Sequence, residues 1–112
     1  MKPAAFIMVA AWAAVAPAAA RAGAAACWFE EGAIVVPAQV AGIAGDYILD
    51  TGTAATQLHE TRAQAAGFTE TALSGEVRLA GETLAARSVA VVDLDSRTWA
   101  FRTPIAGVIG AD

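Results

Sequence analysis

Tyr47-Ile48-Leu49-Asp50-Thr51-Gly52-Thr53 constrains the fold of this 112-residue chain more than any other stretch. Three apolar residues suited to a buried strand run straight into an acid, a hydroxyl and a glycine, so a strand delivers one carboxylate to the start of a sharp turn. Burying a carboxylate is costly unless hydrogen-bond donors meet it. Thr51 and Thr53 offer hydroxyls, and Gly52 lets the backbone fold close enough for amide N–H groups to point at the acid. Asp-Thr-Gly is also ordinary turn chemistry, so the surrounding chain has to decide between a site and a turn.

That surrounding chain reads as mainly β. Residues 33–40 are expected to form a strand, with Pro37 marking an edge or a bulge. Gly42 and Gly45 punctuate a tight turn, and residues 46–49 return as the strand that ends at Asp50. Leu58, Arg62, Ala65 and Ala66 fit one short helix within residues 56–67, closed by Gly67 as a left-handed cap. His59 falls on that helix and reads as a solvated surface residue rather than a base. Residues 76–84 turn through Ala80-Gly81-Glu82 as a hairpin, and residues 88–94 read as a central strand buried on both faces. After a polar turn over residues 93–97, Trp99 and Phe101 alternate along residues 98–103 as packing aromatics. The chain closes on the apolar run Ile105-Ala106-Gly107-Val108-Ile109-Gly110.

Alanine supplies 31 residues, so the 57% hydrophobic content overstates the core, and one small domain is all the chain supports. The first part falls outside it. Met1-Lys2, an apolar run from Ala4 to Val15 and the small residues ending Ala20-Arg21-Ala22 have the order of a secretory signal peptide, which predicts residues 1–22 as a cleaved leader and residues 23–112 as the domain. The expected location is periplasmic or extracellular. An uncleaved membrane anchor is the other reading of the run, and Ala24-Ala25-Ala26-Cys27 weakly matches a lipidation signal. Without Lys2 and Arg21 the domain keeps five arginines against eleven acids, which excludes a nucleic-acid footprint. Cys27 is the only cysteine, so no internal disulfide forms, and Cys27 with His59 cannot close a metal site. Neither a metal nor a cofactor is expected.

Asp50-Thr51-Gly52-Thr53 after Tyr47-Ile48-Leu49, paired with Val108-Ile109-Gly110 near the C-terminus, resembles the retropepsin-like aspartic proteases, and more closely their small secreted or membrane-associated bacterial members. The resemblance covers about residues 36–112. It implies a small closed β-barrel, a homodimer with one Asp-Thr-Gly turn per chain, and hydrolysis of peptide bonds in a peptide or protein substrate. In that family the apolar-glycine segment crosses beneath the turn; Val108, Ile109 and Gly110, with Gly107 before them, match it, and Gly42 matches the opening hairpin. Asp50 would be the catalytic acid. Thr51 would bond across the dimer axis, the Gly52 amide would reach the carboxylates, and Thr53 would bond the outer carboxylate oxygen. The need for two chains is physical: two carboxylates held together cannot both ionise, so they share one proton and divide the roles of base and acid.

Two features depart from the family pattern. Only residues 69–75 separate Phe68 from the next strand, so the flap hairpin that closes over substrate looks shortened or absent, unless residues 71–81 serve as a stunted one. The sequence also stops two residues past Gly110, where relatives continue into a helix. A fragment, a truncated product and a protein that dimerises through residues 28–34 all remain open. A non-catalytic exported β-domain that binds extended peptides is the alternative function.

Overall fold

A computed structural model describes residues 26–111. The expected leader and lipidation signal therefore fall outside the described residues, apart from Ala26 and the exposed, unpaired thiol of Cys27. Seven strands and two short helices follow in order: β1 (Trp28–Glu30), β2 (Ala33–Val40), β3 (Ile43–Leu49), β4 (Thr56–His59), α1 (Glu60–Ala65), β5 (Ala72–Leu79), β6 (Glu82–Val92), α2 (Asp95–Thr98) and β7 (Ile105–Ile109). They form one sheet in the order β1-β2-β3-β7-β4-β6-β5, and an additional β2–β5 pairing closes six of them into a barrel, leaving β1 outside on β2. This is the small closed β-barrel that the family resemblance implies.

The β2–β3 hairpin is the element that presents the acid. Its register runs from Val40↔Ile43 at the turn to Ile34↔Leu49 at the far end, so Asp50 emerges level with the start of β2. Pro37 lacks a backbone N–H, and it sits where that loss is harmless. On the outer edge of β2, residues 33–35 pair with β1 and residues 38–40 with β5, and Pro37 lies in the gap between.

β7 is buried along its whole length because it runs between β3, to which it is parallel, and β4, to which it is antiparallel. Its four apolar residues serve two cores. Ala106 and Ile109 join Tyr47, Leu58, Val40, Val77 and Val89 in one cluster, and Ile105 and Val108 join Val35, Ile48 and Leu94 in the other. Tyr47 is the largest fully buried side chain. Its hydroxyl donates to the Ile43 carbonyl at 2.6 Å, which removes the penalty of an orphan phenol, and burial pushes its pKa up to about 12. Gly107 lies against the Tyr47 ring and the Gln57 carbonyl, where a Cβ has no room.

Four expectations are corrected. Residues 56–59 are a strand, and the helix begins only at Glu60, because β4 finds partners on both sides: Thr56 to His59 pair with Val89 to Val92 of β6, and Gln57 and Leu58 with β7. Gly67 does close the helix, at φ +94°, and the Phe68 amide donates back to the Ala63 carbonyl. Residues 88–92 of the strand expected over 88–94 are the end of the much longer β6, which is paired on both sides, yet Val89 is its only buried residue. Residues 98–103 do not form a strand. Asp93 Oδ1 accepts from the Asp95 amide, Thr98 Oγ1 donates to the Leu94 carbonyl, and this local bonding winds one turn of helix that leaves Trp99 82% exposed. Finally, His59 is buried.

Glu30 fastens β1 to the loop after α2. Its carboxylate accepts from Thr103 Oγ1 at 2.6 Å, from the Thr103 amide at 3.1 Å and from the Arg102 amide. The Thr103 bonds, the hydroxyl first, hold its pKa down to about 2 from an ordinary 4.5. A depressed carboxylate supports the fold above its ordinary value, so this tie is at full strength above pH 4.5 and fades as the pH falls to about 2.

Candidate active site

The turn after β3 is built around the Asp50 carboxylate. The Gly52 amide donates to Oδ1 at 2.9 Å and the Thr53 hydroxyl to Oδ2 at 2.8 Å, while the Thr53 amide closes the turn on the Asp50 carbonyl at 3.2 Å. A Cβ on Gly52 would stand 3.3 Å from Oδ1, which is why the smallest residue occupies that place. Thr51 is exposed and makes no side-chain hydrogen bond among the described residues.

The end of β7 pins this turn from beneath. The Asp50 amide donates to the Ile109 carbonyl at 3.0 Å, the Ala111 amide donates to the Thr53 carbonyl at 2.9 Å, and the Gly110 amide donates to Thr56 Oγ1 at 3.2 Å. Gly110 is wedged there: a Cβ would meet the Thr53 and Ala55 carbonyl oxygens at 2.6 and 2.7 Å. The two motifs, separated by more than fifty residues of sequence, thus meet as one unit. Asp50, Gly52 and Thr53 are bonded to one another, and Ile109 and Gly110 underlie them. Val108 lies one step back, in the core beside Ile48.

One member of the site carries no sequence signal. Arg97, on α2, reaches Asp50 Oδ2 with Nη2 at 2.5 Å, across 47 residues of chain. Read from sequence, it belonged to a polar turn. The Thr53 hydroxyl, then Arg97, then the Gly52 amide hold the Asp50 carboxyl below its ordinary 3.8. Asp50 opens onto a groove of about 360 Å³ walled by Phe29, Ala33, Ile34, Ile48 and Leu49, with Thr51 and Arg97 beside the acid.

His59 ends β4 with 7% of its surface exposed, and its Nε2 stands 3.0 Å from Asp95 Oδ1. Its Nδ1 has no hydrogen-bond partner among the described residues. His59, Asp93 and Asp95 bring three potential metal-ligand atoms within 4.8 Å of one another, a grouping that sequence spacing did not reveal. Two of the three are exposed carboxylates already engaged, one with His59 and one with the Asp95 amide, and none touches Asp50.

No hairpin lies between α1 and β5; residues 66–71 connect them directly. The β5–β6 hairpin is instead a wall of the barrel. Its tip, Ala80-Gly81, stops beside Pro37, three positions short of Ile34, and lines a separate open cavity of about 540 Å³.

The aspartyl protease family model matches residues 36–111. Among solved structures, the chain is similar to a retropepsin-like aspartic protease from Rickettsia conorii, with a TM-score of 0.53 and 18% identity over 75% of this chain and 68% of that one. No curated protein sequence matches significantly. With its Asp-Thr-Gly turn seated on a terminal apolar-glycine strand inside a six-stranded barrel, the chain belongs to the aspartyl protease family and has the retropepsin-like fold.

Proposed function

We propose that this chain is an endopeptidase that hydrolyses peptide bonds with a water activated by Asp50 from each of two copies. The observation that carries this reading is the state of Asp50: gripped by its own turn on both oxygens, underpinned by β7, and still 31% exposed at an open groove. A carboxylate fixed in place and left accessible is poised to meet a second one. In the pair, the charged acid takes a proton from the water as it attacks the scissile carbon, and the neutral acid donates its proton to the carbonyl oxygen. Thr51, exposed and without a side-chain partner among the described residues, is available to bond across the two-fold axis. Phe29, Ile34 and Leu49 offer apolar surface to substrate side chains.

Residues 1–22 as an export leader and 23–112 as the mature domain complete the proposal, and place the enzyme outside the cytoplasm. The test is the cleavage of unstructured peptides by the mature protein across pH, with its mass measured by sedimentation under the same conditions. One shared proton places activity below neutral pH and loses it as the second carboxyl ionises. Cleavage that persists undiminished above neutral pH, or that belongs to a monomer, contradicts the proposal.

The missing hairpin after α1 favours a second reading, a non-catalytic β-domain that binds extended peptides. That protein would be a monomer that retains peptide without cutting it.

A further inference from the structure

The Arg97 contact bears on how a pair of Asp50 acids comes to hold one proton. We propose that Arg97 is a brake on proton uptake by the acid: it favours the charged form of Asp50 in the separated chain, and the pair takes up its shared proton more readily once Arg97 has released Oδ2 in one of the two chains. This rests on the reading of Asp50 as half of a dyad.

The geometry leads there directly. Asp50 Oδ2 already accepts from Thr53 Oγ1 and from Arg97 Nη2, and Oδ1 accepts from the Gly52 amide. A protonated carboxyl must donate from one oxygen, whereas a guanidinium only donates and does not deprotonate in proteins. With the Thr53 hydroxyl donating there too, Arg97 leaves no place for a proton on Oδ2, and its charge disfavours one on Oδ1. The charged member of the pair keeps its arginine, and a neutral member holds it more weakly. When one Arg97 withdraws, one proton enters from solvent and is held between the two carboxylates, and the guanidinium leaves with its charge intact.

Arg97 is placed for such a movement. Its side chain is 39% exposed, so it swings from Asp50 into water without breaking the core. The helix that bears it stays anchored, because Asp95 remains on His59 and Thr98 on the Leu94 carbonyl. Asp50 and Arg97 are the only ionisable groups among the described residues lining the groove. Ile109, Gly110 and the turn residues Thr51–Thr53 carry none, and on the α2 side Asp93 bonds the Asp95 amide and Asp95 bonds His59. The depressed pKa of Asp50 agrees with this arrangement.

The test compares wild type, Arg97→Gln, Arg97→Lys and Asp50→Asn as mature proteins, reading the Asp50 carboxyl by NMR titration in dilute monomer and dimer formation by sedimentation across pH. In Arg97→Gln the Asp50 titration moves up, and above the ordinary carboxylate range the dimer forms about tenfold more tightly, the smaller effect expected of a guanidinium on a neighbouring carboxyl's proton affinity. The upper limb of the pH–rate profile moves in the same direction. Arg97→Lys, which keeps the charge but not the planar fork, falls between. In Asp50→Asn, dimer formation loses its dependence on pH in this range. An unchanged Asp50 titration and dimer midpoint in Arg97→Gln overturn the brake while leaving the shared acids standing. Dimer formation that ignores pH in wild type as it does in Asp50→Asn overturns the shared acids, and the brake with them.

Discussion

Asp50→Asn is expected to abolish peptide cleavage while leaving the fold in place. The amide has nearly the size of the carboxyl, its oxygen can still accept from the Gly52 amide or the Thr53 hydroxyl, and none of the β7 bonds that pin the turn uses the Asp50 side chain. What disappears is the ability to take a proton from water. Positioned proton transfer contributes up to about 10⁴-fold, so kcat/KM should fall by about that factor. Circular dichroism and the unfolding temperature should stay close to those of the wild type. A variant that folds and cuts at the wild-type rate removes Asp50 from the chemistry.

Gly110→Ala is expected to destabilise the fold strongly. The added methyl meets two carbonyl oxygens of the segment carrying Thr53 and Ala55, both under 3 Å away and both backbone, so no side chain can rotate aside. Relief requires β7 and the active turn to separate, which strains the Asp50–Ile109 and Ala111–Thr53 bonds. Overpacking of this kind costs about 3 kcal/mol, a substantial share of the roughly 5–15 kcal/mol that holds an ordinary domain together. Where the variant still folds, the displaced turn misplaces the acid, and a shift of about 1 Å lowers activity by about 10²-fold. Denaturant unfolding and residual cleavage measure the two effects. A Gly110→Ala protein of wild-type stability contradicts the wedged geometry.

The parts of this molecule that were legible in its sequence are those specified by short-range chemistry. The hairpin ending at Asp50 follows from apolar runs on either side of Gly42, and the left-handed stop at Gly67 follows from the freedom of glycine. The terminal strand follows from five apolar or small residues in a row. The meeting of that strand with the acidic turn was expected through family resemblance and not through spacing. What stayed hidden depends on distant partners. Thr56 to His59 look helical because Leu58, Arg62 and Ala65 keep helical spacing, and only β6 and β7, contributed from residues 89–92 and 107–108, make them a strand. His59 is buried for the same reason. Arg97 could not be picked out from the other arginines, since nothing within its local sequence points to an acid 47 positions earlier.

A mixing experiment tests the shared acid most directly. Wild-type and Asp50→Asn chains, combined in equal amounts and allowed to exchange subunits, pair at random. If each active centre needs a carboxyl from both chains, only the fully wild-type pairs cut, and about one quarter of the activity remains. If one acid per chain suffices, about one half remains, and the account of a dyad built from two copies of Asp50 is wrong.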